Sequence, residues 1–201
     1  ILFIGGLDMK VLWGGLLSIL AAVALIWNSS IMPGYWKRRL TSFLNPEADE
    51  LNSTLQLLQS QIGIGSGGVT GNRSIFNLKG GSSYVSQFVP EHHTDFIFSV
   101  IAESWGLIGA IVLLTLYGIL IFKLIKTARE AKDTFGSLIS VGVTSVFMFS
   151  VLQNIGMTIG LMPITGITLP LVSYGGSSML TAFISLGMVL NVSMRRKKIN
   201  F

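Results

Sequence analysis

The chain has 201 residues, 50% hydrophobic and only 11% charged, against about 25% charged in a soluble domain, and it therefore reads as a membrane protein. Its net charge of +5 is clustered, a pattern that suits cytoplasmic anchoring of a membrane protein rather than nucleic-acid binding. With no cysteine, disulfides, thiolate chemistry and cysteine-held metals are excluded.

The opening apolar stretch, Ile1 to Leu7, is too short to span a bilayer, and no charged region precedes it, so it does not read as a signal peptide. The chain does not begin with Met and is expected to be the C-terminal piece of a longer protein. A spanning helix needs about 20 mostly apolar residues, and four candidates follow: Val11 to Trp27, a stretch from near Asp95 to about Ile125, one from about Phe135 to Met162, and a shorter one from Met179 to Met194. The expected fold is an all-α polytopic membrane protein.

Basic residues orient these spans. Lys123, Lys126, Arg129 and Lys132 cluster between the second and third, and Arg195, Arg196, Lys197 and Lys198 close the chain. The positive-inside rule makes both groups cytoplasmic, which puts residues 28–94 outside. Lys37, Arg38 and Arg39 then sit on the outer side, where they suggest an anionic ligand.

Within the outer segment, Leu51, Leu55, Leu58 and Ile62 recur at helical spacing with Asn52, Gln56 and Gln59 between them, the pattern of an amphipathic helix lying on the interface. "GIGSGG", Gly63 to Gly68, breaks it and permits close backbone approach. The run lacks the Lys-Ser/Thr ending of a phosphate loop. It is either a flexible loop or, with Arg73 and Lys79, an anion-holding turn.

"PEHHTD", Pro90 to Asp95, stands before the second span. Pro90 and Glu91 suit a first helical turn, and Thr94 or Asp95 suits an N-cap. Asp95, Ser99 and Glu103 are spaced i, i+4 and i+8, which on one continuous helix is a polar stripe descending toward the membrane. Acids there are costly and face a cavity or a partner, so the stripe is either a reaction site or a cap with an ion pair. His92 and His93 are adjacent and would diverge on a helix, a poor metal pair.

Between the third and fourth spans, residues 163–178 are uncharged and apolar, yet Pro163, Gly166, Pro170, Gly175 and Gly176 forbid a continuous helix. Irregular backbone at membrane depth is tolerated where it is buried in protein or lines a wet cavity. A re-entrant loop is the expectation, with a plain extracellular turn as the alternative.

Four stretches, "FLNPEAD" (Phe43 to Asp49), "QSQIGIGSGG" (Gln59 to Gly68), "VPEHHTDFIFSVIAESWGLIG" (Val89 to Gly109) and "GLMPITGITLPLVSYGGSS" (Gly160 to Ser178), together resemble the SEDS family of shape, elongation, division and sporulation proteins. "QNIGM" (Gln153 to Met157) followed by "GLMP" looks more like its RodA elongation branch than its FtsW division branch. The resemblance covers nearly the whole chain and implies roughly the last four of the family's ten transmembrane helices plus its large extracellular loop, within one membrane domain. Departures lie in the loops: Gly63 stands where the family usually has Ala, and "VTGNRS" and "GGSSYVS" replace its common continuations.

The resemblance implies a peptidoglycan glycosyltransferase that polymerises lipid II at the outer face of the bacterial cytoplasmic membrane, with Asp95 of "HTDF" as the catalytic residue. It also implies a divalent cation, magnesium or manganese, and a class B penicillin-binding protein as partner. Lipid II and membrane lipids are the expected ligands, with no nucleic acid. The transfer needs a base at the acceptor hydroxyl and positive charge at the departing pyrophosphate. Asp95 is either that base or a ligand of the cation. The expected substrate-binding residues are Glu91, His93, Thr94, Ser99, Glu103, Arg39, Arg73, Lys79, Ser173, Tyr174, Gly175, Gly176 and Ser177. The alternatives are a lipid II flippase, which would also need a broken helix and an intramembrane acid, and a non-catalytic scaffold of the cell-wall synthesis complex.

Overall fold

A computed structural model describes residues 9–28, 53–72 and 83–196. The expectations attached to Lys37, Arg38, Arg39, "FLNPEAD", Arg73 and Lys79 concern residues outside these. The described elements are α1 (Met9–Asn28), α2 (Ser53–Ser66), α3 (Tyr84–Phe88), α4 (Ile97–Arg129), α5 (Thr134–Thr158) and α6 (Gly176–Arg196). Among the described residues, the spans within α4, α5 and α6 are long and apolar enough to cross a membrane. The first expected span is helical and contains a shorter apolar run, Trp13–Val23.

The α4–α5 connection is short, so the two helices pack side by side and antiparallel. Asp133 caps α5 by accepting from Gly136 N at 3.1 Å, and Ser137 Oγ donates to Ala128 O at 2.9 Å, tying the two helix ends together. The exposed Lys126–Glu130 ion pair at 4.0 Å adds little in such a setting. Leu124, Val143, Phe147, Ala182 and Val189 form the core that joins α4, α5 and α6. A second cluster, Tyr117, Val151 and Leu169, packs the 163–175 loop onto α4 and α5. The outer faces remain apolar and exposed, as at Ile111, Leu116, Phe122, Phe149 and Phe183. A bilayer stabilises such faces and water does not.

α4 is not one straight helix. It breaks at Gly106, which has φ 66° and ψ −161°, and the glycine-rich end of α2 crosses there. In an unbroken helix Leu107 N would bond to Glu103 O. Here Leu107 N donates to Gly68 O at 2.9 Å, Ile108 N donates to Val69 O at 3.2 Å, and the released Glu103 O accepts from Asn72 N at 3.0 Å. The break therefore leaves no orphan among these groups, as burial in an apolar setting demands. A Cβ on Gly71 would stand 2.2 Å from Ser104 O, and one on Gly106 would stand 2.5 Å from Gly71 N. "GIGSGG" does not break α2 where expected: the helix runs on through Gly63 and Gly65 to Ser66, and Gly68 and Val69 after it supply the carbonyls of the crossing.

α2 meets the helices through small residues. Ser60, Gly63 and Gly67 are buried, whereas Leu55, Leu58 and Ile62 are exposed on the other face. The expected amphipathic pattern is present at Leu55, Leu58 and Ile62, while Leu51 and Asn52 lie outside the described residues.

Candidate functional site

The segment between α3 and α4 is a compact turn wound on one carbonyl. Glu91 O accepts from Asp95 N at 3.1 Å and Phe96 N at 3.2 Å, and Thr94 Oγ1 donates to Glu91 Oε2 at 3.1 Å. α4 starts only at Ile97, with Phe96 at its N-cap and no side-chain cap bond. The expected cap at Thr94 or Asp95 is therefore corrected: both residues lie before the helix, held by the turn. His92 Nδ1 sits 2.7 Å from Val89 O. A carbonyl only accepts, so Nδ1 carries the proton there. The rings of His92 and His93 overlap, with centroids 3.7 Å apart.

Because Asp95 precedes the helix, Asp95, Ser99 and Glu103 do not form one stripe. Ser99 is fully buried and its hydroxyl meets Ser60 Oγ at 2.5 Å, while Ser60 Oγ donates to Thr158 O at 2.9 Å. Ser99 thus joins α2, α4 and α5. Glu103 is 2% exposed and accepts from Ser83 Oγ at 2.8 Å, Tyr84 N at 2.5 Å and Val85 N at 2.9 Å. Its carboxylate holds the first turn of α3. Ser99 and Glu103, both expected to bind substrate, are thus buried among protein partners, where they join elements of the fold.

The turn is sewn to the 163–175 loop. Three consecutive carbonyls are taken by three separate donors: Tyr174 N donates to His93 O at 2.9 Å, Ser173 Oγ to Thr94 O at 2.6 Å, and Asn154 Nδ2 to Asp95 O at 2.9 Å. Ser173 Oγ also accepts from Leu169 N at 2.8 Å, and Ser173 N donates to Leu169 O at 2.9 Å. The loop tip is fixed by Tyr117 Oη, which donates to Pro170 O at 2.5 Å. Leu171 adopts φ 67°, a conformation costly for a leucine and held only where the surroundings impose it. Gly166 has φ 72°, and a Cβ there would stand 3.2 Å from Asp95 Oδ2. The loop backbone therefore backs the Asp95 carboxylate at a position where a side chain would crowd it.

Of the expected site residues, Asp95, Glu91, His93, Thr94, Ser173 and Tyr174 come together at this seam. Gly175 accepts from Ser178 Oγ and Met179 N, and Gly176 begins α6. Ser177 lines a groove of about 290 Å³ between α5, the loop and α6, together with Ser150, Thr168 and Ser185. Arg39, Arg73 and Lys79 fall outside the described residues. Asn154 and Gly166 were not among the expected residues. The signal for Asn154 was present: Gln153 and Asn154 are adjacent amides in an apolar span, and both are buried.

Among the described residues, no three His, Asp or Glu side chains group as a metal cage. A single carboxylate still fits the way magnesium is held in phosphate chemistry, by one or two carboxylates together with the phosphates themselves.

The model of the FtsW, RodA and SpoVE proteins, described as cell cycle protein, matches residues 1–198. Peptidoglycan glycosyltransferase MrdB of Escherichia coli K12 is 36% identical over 200 residues, covering 100% of this chain and 53% of that protein. Peptidoglycan glycosyltransferase RodA of Treponema pallidum is 40% identical over 182 residues, covering 90% of this chain and 41% of that protein. The chain thus spans about half the length of the curated relatives it matches. Among solved structures, one reporting how a peptidoglycan synthase complex coordinates polymerization and crosslinking aligns over 98% of this chain and 52% of that one, with a TM-score of 0.76 at 33% identity. An alanine mutant of the rod shape determining protein RodA from Thermus thermophilus aligns over 54% of this chain and 36% of that one, with a TM-score of 0.50 at 42% identity. The family match over nearly all of the sequence and the likeness of fold make this chain a membrane protein of the FtsW, RodA and SpoVE family, the SEDS proteins.

Proposed function

We propose that the full-length protein is a peptidoglycan glycosyltransferase that polymerises lipid II at the outer face of the cytoplasmic membrane, with Asp95 as its reacting carboxylate. The observation that carries this reading is the seam: His93, Thr94 and Asp95 each have the main-chain carbonyl engaged, so the Asp95 side chain is held on a fixed backbone. Fixed geometry is what a general base requires. The acceptor sugar hydroxyl attacks the anomeric carbon of the donor. The new C–O bond forms as the bond to pyrophosphate breaks, the pyrophosphate leaves with the electron pair, and Asp95 takes the hydroxyl proton.

Arg39, Arg73 and Lys79 are proposed to receive the pyrophosphate, as positive charge stabilises a developing anion. In the other role open to Asp95, it would instead hold a divalent cation, magnesium or manganese, with the substrate phosphates, and the cation would supply charge neutralisation there. His93, Tyr174 and Ser177 are proposed to contact the sugar-peptide part of the substrate. The C-terminus and residues 123–132, the basic end of α4 and the connection after it, are assigned to the cytoplasm by their basic residues. The partner is proposed to be a class B penicillin-binding protein. The similar structure of a peptidoglycan synthase complex that coordinates polymerization with crosslinking supports that pairing.

A flippase would need an ionisable group free in the membrane interior. Glu103 is the one acid of the three long spans described, and three protein donors occupy it, so it is not such a group.

The test is a glycan-ladder gel with fluorescent lipid II, a divalent cation and the partner transpeptidase. It compares the full-length protein with its Asp95→Asn variant. Polymer from the wild type and none from a folded variant is the expected result. Polymer from both would remove Asp95 from the chemistry, and none from either would return the reading to transport or scaffolding.

A further inference from the structure

We infer that Asn154 is the positioning residue of this site, locking the Asp95 main chain to the 163–175 loop through one amide group. The inference rests on the reading of Asp95 as the reacting carboxylate. Asn154 is fully buried in α5. Its Nδ2 donates to Asp95 O at 2.9 Å and to Ile167 O at 2.8 Å. Two carbonyls on the same side fix the orientation of the amide, because an oxygen turned toward them would face only acceptors. One side chain therefore spans two segments that approach from opposite ends of the sequence, 59 residues away on one side and 13 on the other.

Ile167 directly follows Gly166, the residue that backs Asp95 Oδ2. The Asn154 amide thus fixes both members of that contact, the aspartate through its own carbonyl and the glycine through its neighbour's. A second observation points to the same place. Among the described residues, the buried side-chain polar atoms without a partner are Asn154 Oδ1 and Thr165 Oγ1, one in the bridge and one in the loop beside it. Buried orphans are rare and costly.

Three variants of the full-length protein test this. Asn154→Leu keeps bulk without donors. Asn154→Asp keeps shape but turns acceptors toward both carbonyls. Ser145→Ala removes an exposed hydroxyl on α5 that bonds only within its own helix and serves as the control. Two readouts are taken with the partner bound. The first is polymerisation kinetics. A displaced reacting group costs on the order of 10²-fold in turnover, so kcat is expected to fall by about that factor in Asn154→Leu and Asn154→Asp, with KM for lipid II little changed. The second is the distance between spin labels placed on cysteines at His93 and Tyr174. Both side chains are exposed, and they meet at the seam through main chain only. A narrow distance distribution in the parent protein that widens in both Asn154 variants, and not in the control, supports the inference. A fall in kcat with an unchanged distribution overturns it, as does an unchanged kcat in a folded Asn154→Asp. If the parent protein makes no polymer, the proposed activity fails by itself, and the label distances still decide whether Asn154 holds the seam.

Discussion

Ser173 donates its hydroxyl to the carbonyl of Thr94 at 2.6 Å while accepting from Leu169 N at 2.8 Å. One hydroxyl so closes the loop on itself and closes it onto the turn that carries Asp95. Ser173 is 3% exposed, so its two partners have no ready replacement in water. Ser173→Ala is expected to destabilise the protein by about 1–3 kcal/mol, the cost of leaving buried polar groups unpaired. The check is a thermal melt in detergent of the full-length protein, with polymerisation measured below the transition. A melt identical to that of the parent would show that the hydroxyl is dispensable.

Glu103 ties a different part of the site. Three donors and no acceptor converge on it, an arrangement that suits a carboxylate. In Glu103→Gln one of the two oxygens becomes an NH₂ group facing N–H or O–H donors, so at least one bond of the set is lost. Hydrogen bonds to a charged group contribute about 1.5–3 kcal/mol, and the loss should be felt first at α3, a helix of five residues that cannot stand alone. Hydrogen exchange is expected to speed up at residues 84–88 before it changes in α5. Unaltered protection of those amides would refute the capping role.

Ser99 was expected to meet substrate and instead joins three helices. Ser60 spends its one hydroxyl proton on Thr158 O, so Ser99 is the donor in the Ser60–Ser99 pair. Ser99→Ala is expected to lower stability by about 0.5–1.5 kcal/mol, the net contribution of a typical internal hydrogen bond, without altering KM for lipid II. Steady-state kinetics beside a melting curve separates the two roles. A raised KM at unchanged stability would restore Ser99 to the substrate surface.

The parts of this fold that sequence made legible are those set by local composition. Long apolar runs marked α4, α5 and α6, and Pro163, Gly166 and Pro170 marked the irregular loop between the last two. Asp95 stood out as an acid at the edge of a span. The spacing argument that linked it with Ser99 and Glu103 failed because it assumed a helix already begun at Asp95, whereas the chain is still wound on the Glu91 carbonyl there. The partners of Glu103 lie 18 to 20 residues away, and those of Asn154 lie 13 and 59 away. No window of local periodicity contains such contacts. The break at Gly106 was hidden for the same reason, since a lone glycine in an apolar run is compatible with a continuous helix until Gly68 and Val69 supply the carbonyls that replace its own.

That break yields a sharp contrast between two glycines, Gly71 in the crossing and Gly118 in the helix interior. Gly71 has φ 82°, and a Cβ on it would lie 2.2 Å from Ser104 O, a backbone atom. Gly118 lies in the interior of α4, and a Cβ there would meet nothing within 4 Å. Gly118→Ala is expected to stabilise by up to about 1 kcal/mol, the helix-propensity difference between the two residues. Gly71→Ala combines an unfavourable backbone conformation, of order 1–3 kcal/mol, with a main-chain collision that the loop can relieve only by withdrawing from α4. Withdrawal would strip Leu107 N and Ile108 N of Gly68 O and Val69 O, so the two costs add at one locus. Gly71→Ala should therefore lower the melting temperature or abolish recovery of folded protein, while Gly118→Ala raises the melting temperature or leaves it unchanged. Equal behaviour of the two variants in detergent melts would contradict the crossing of α2 and α4 described above.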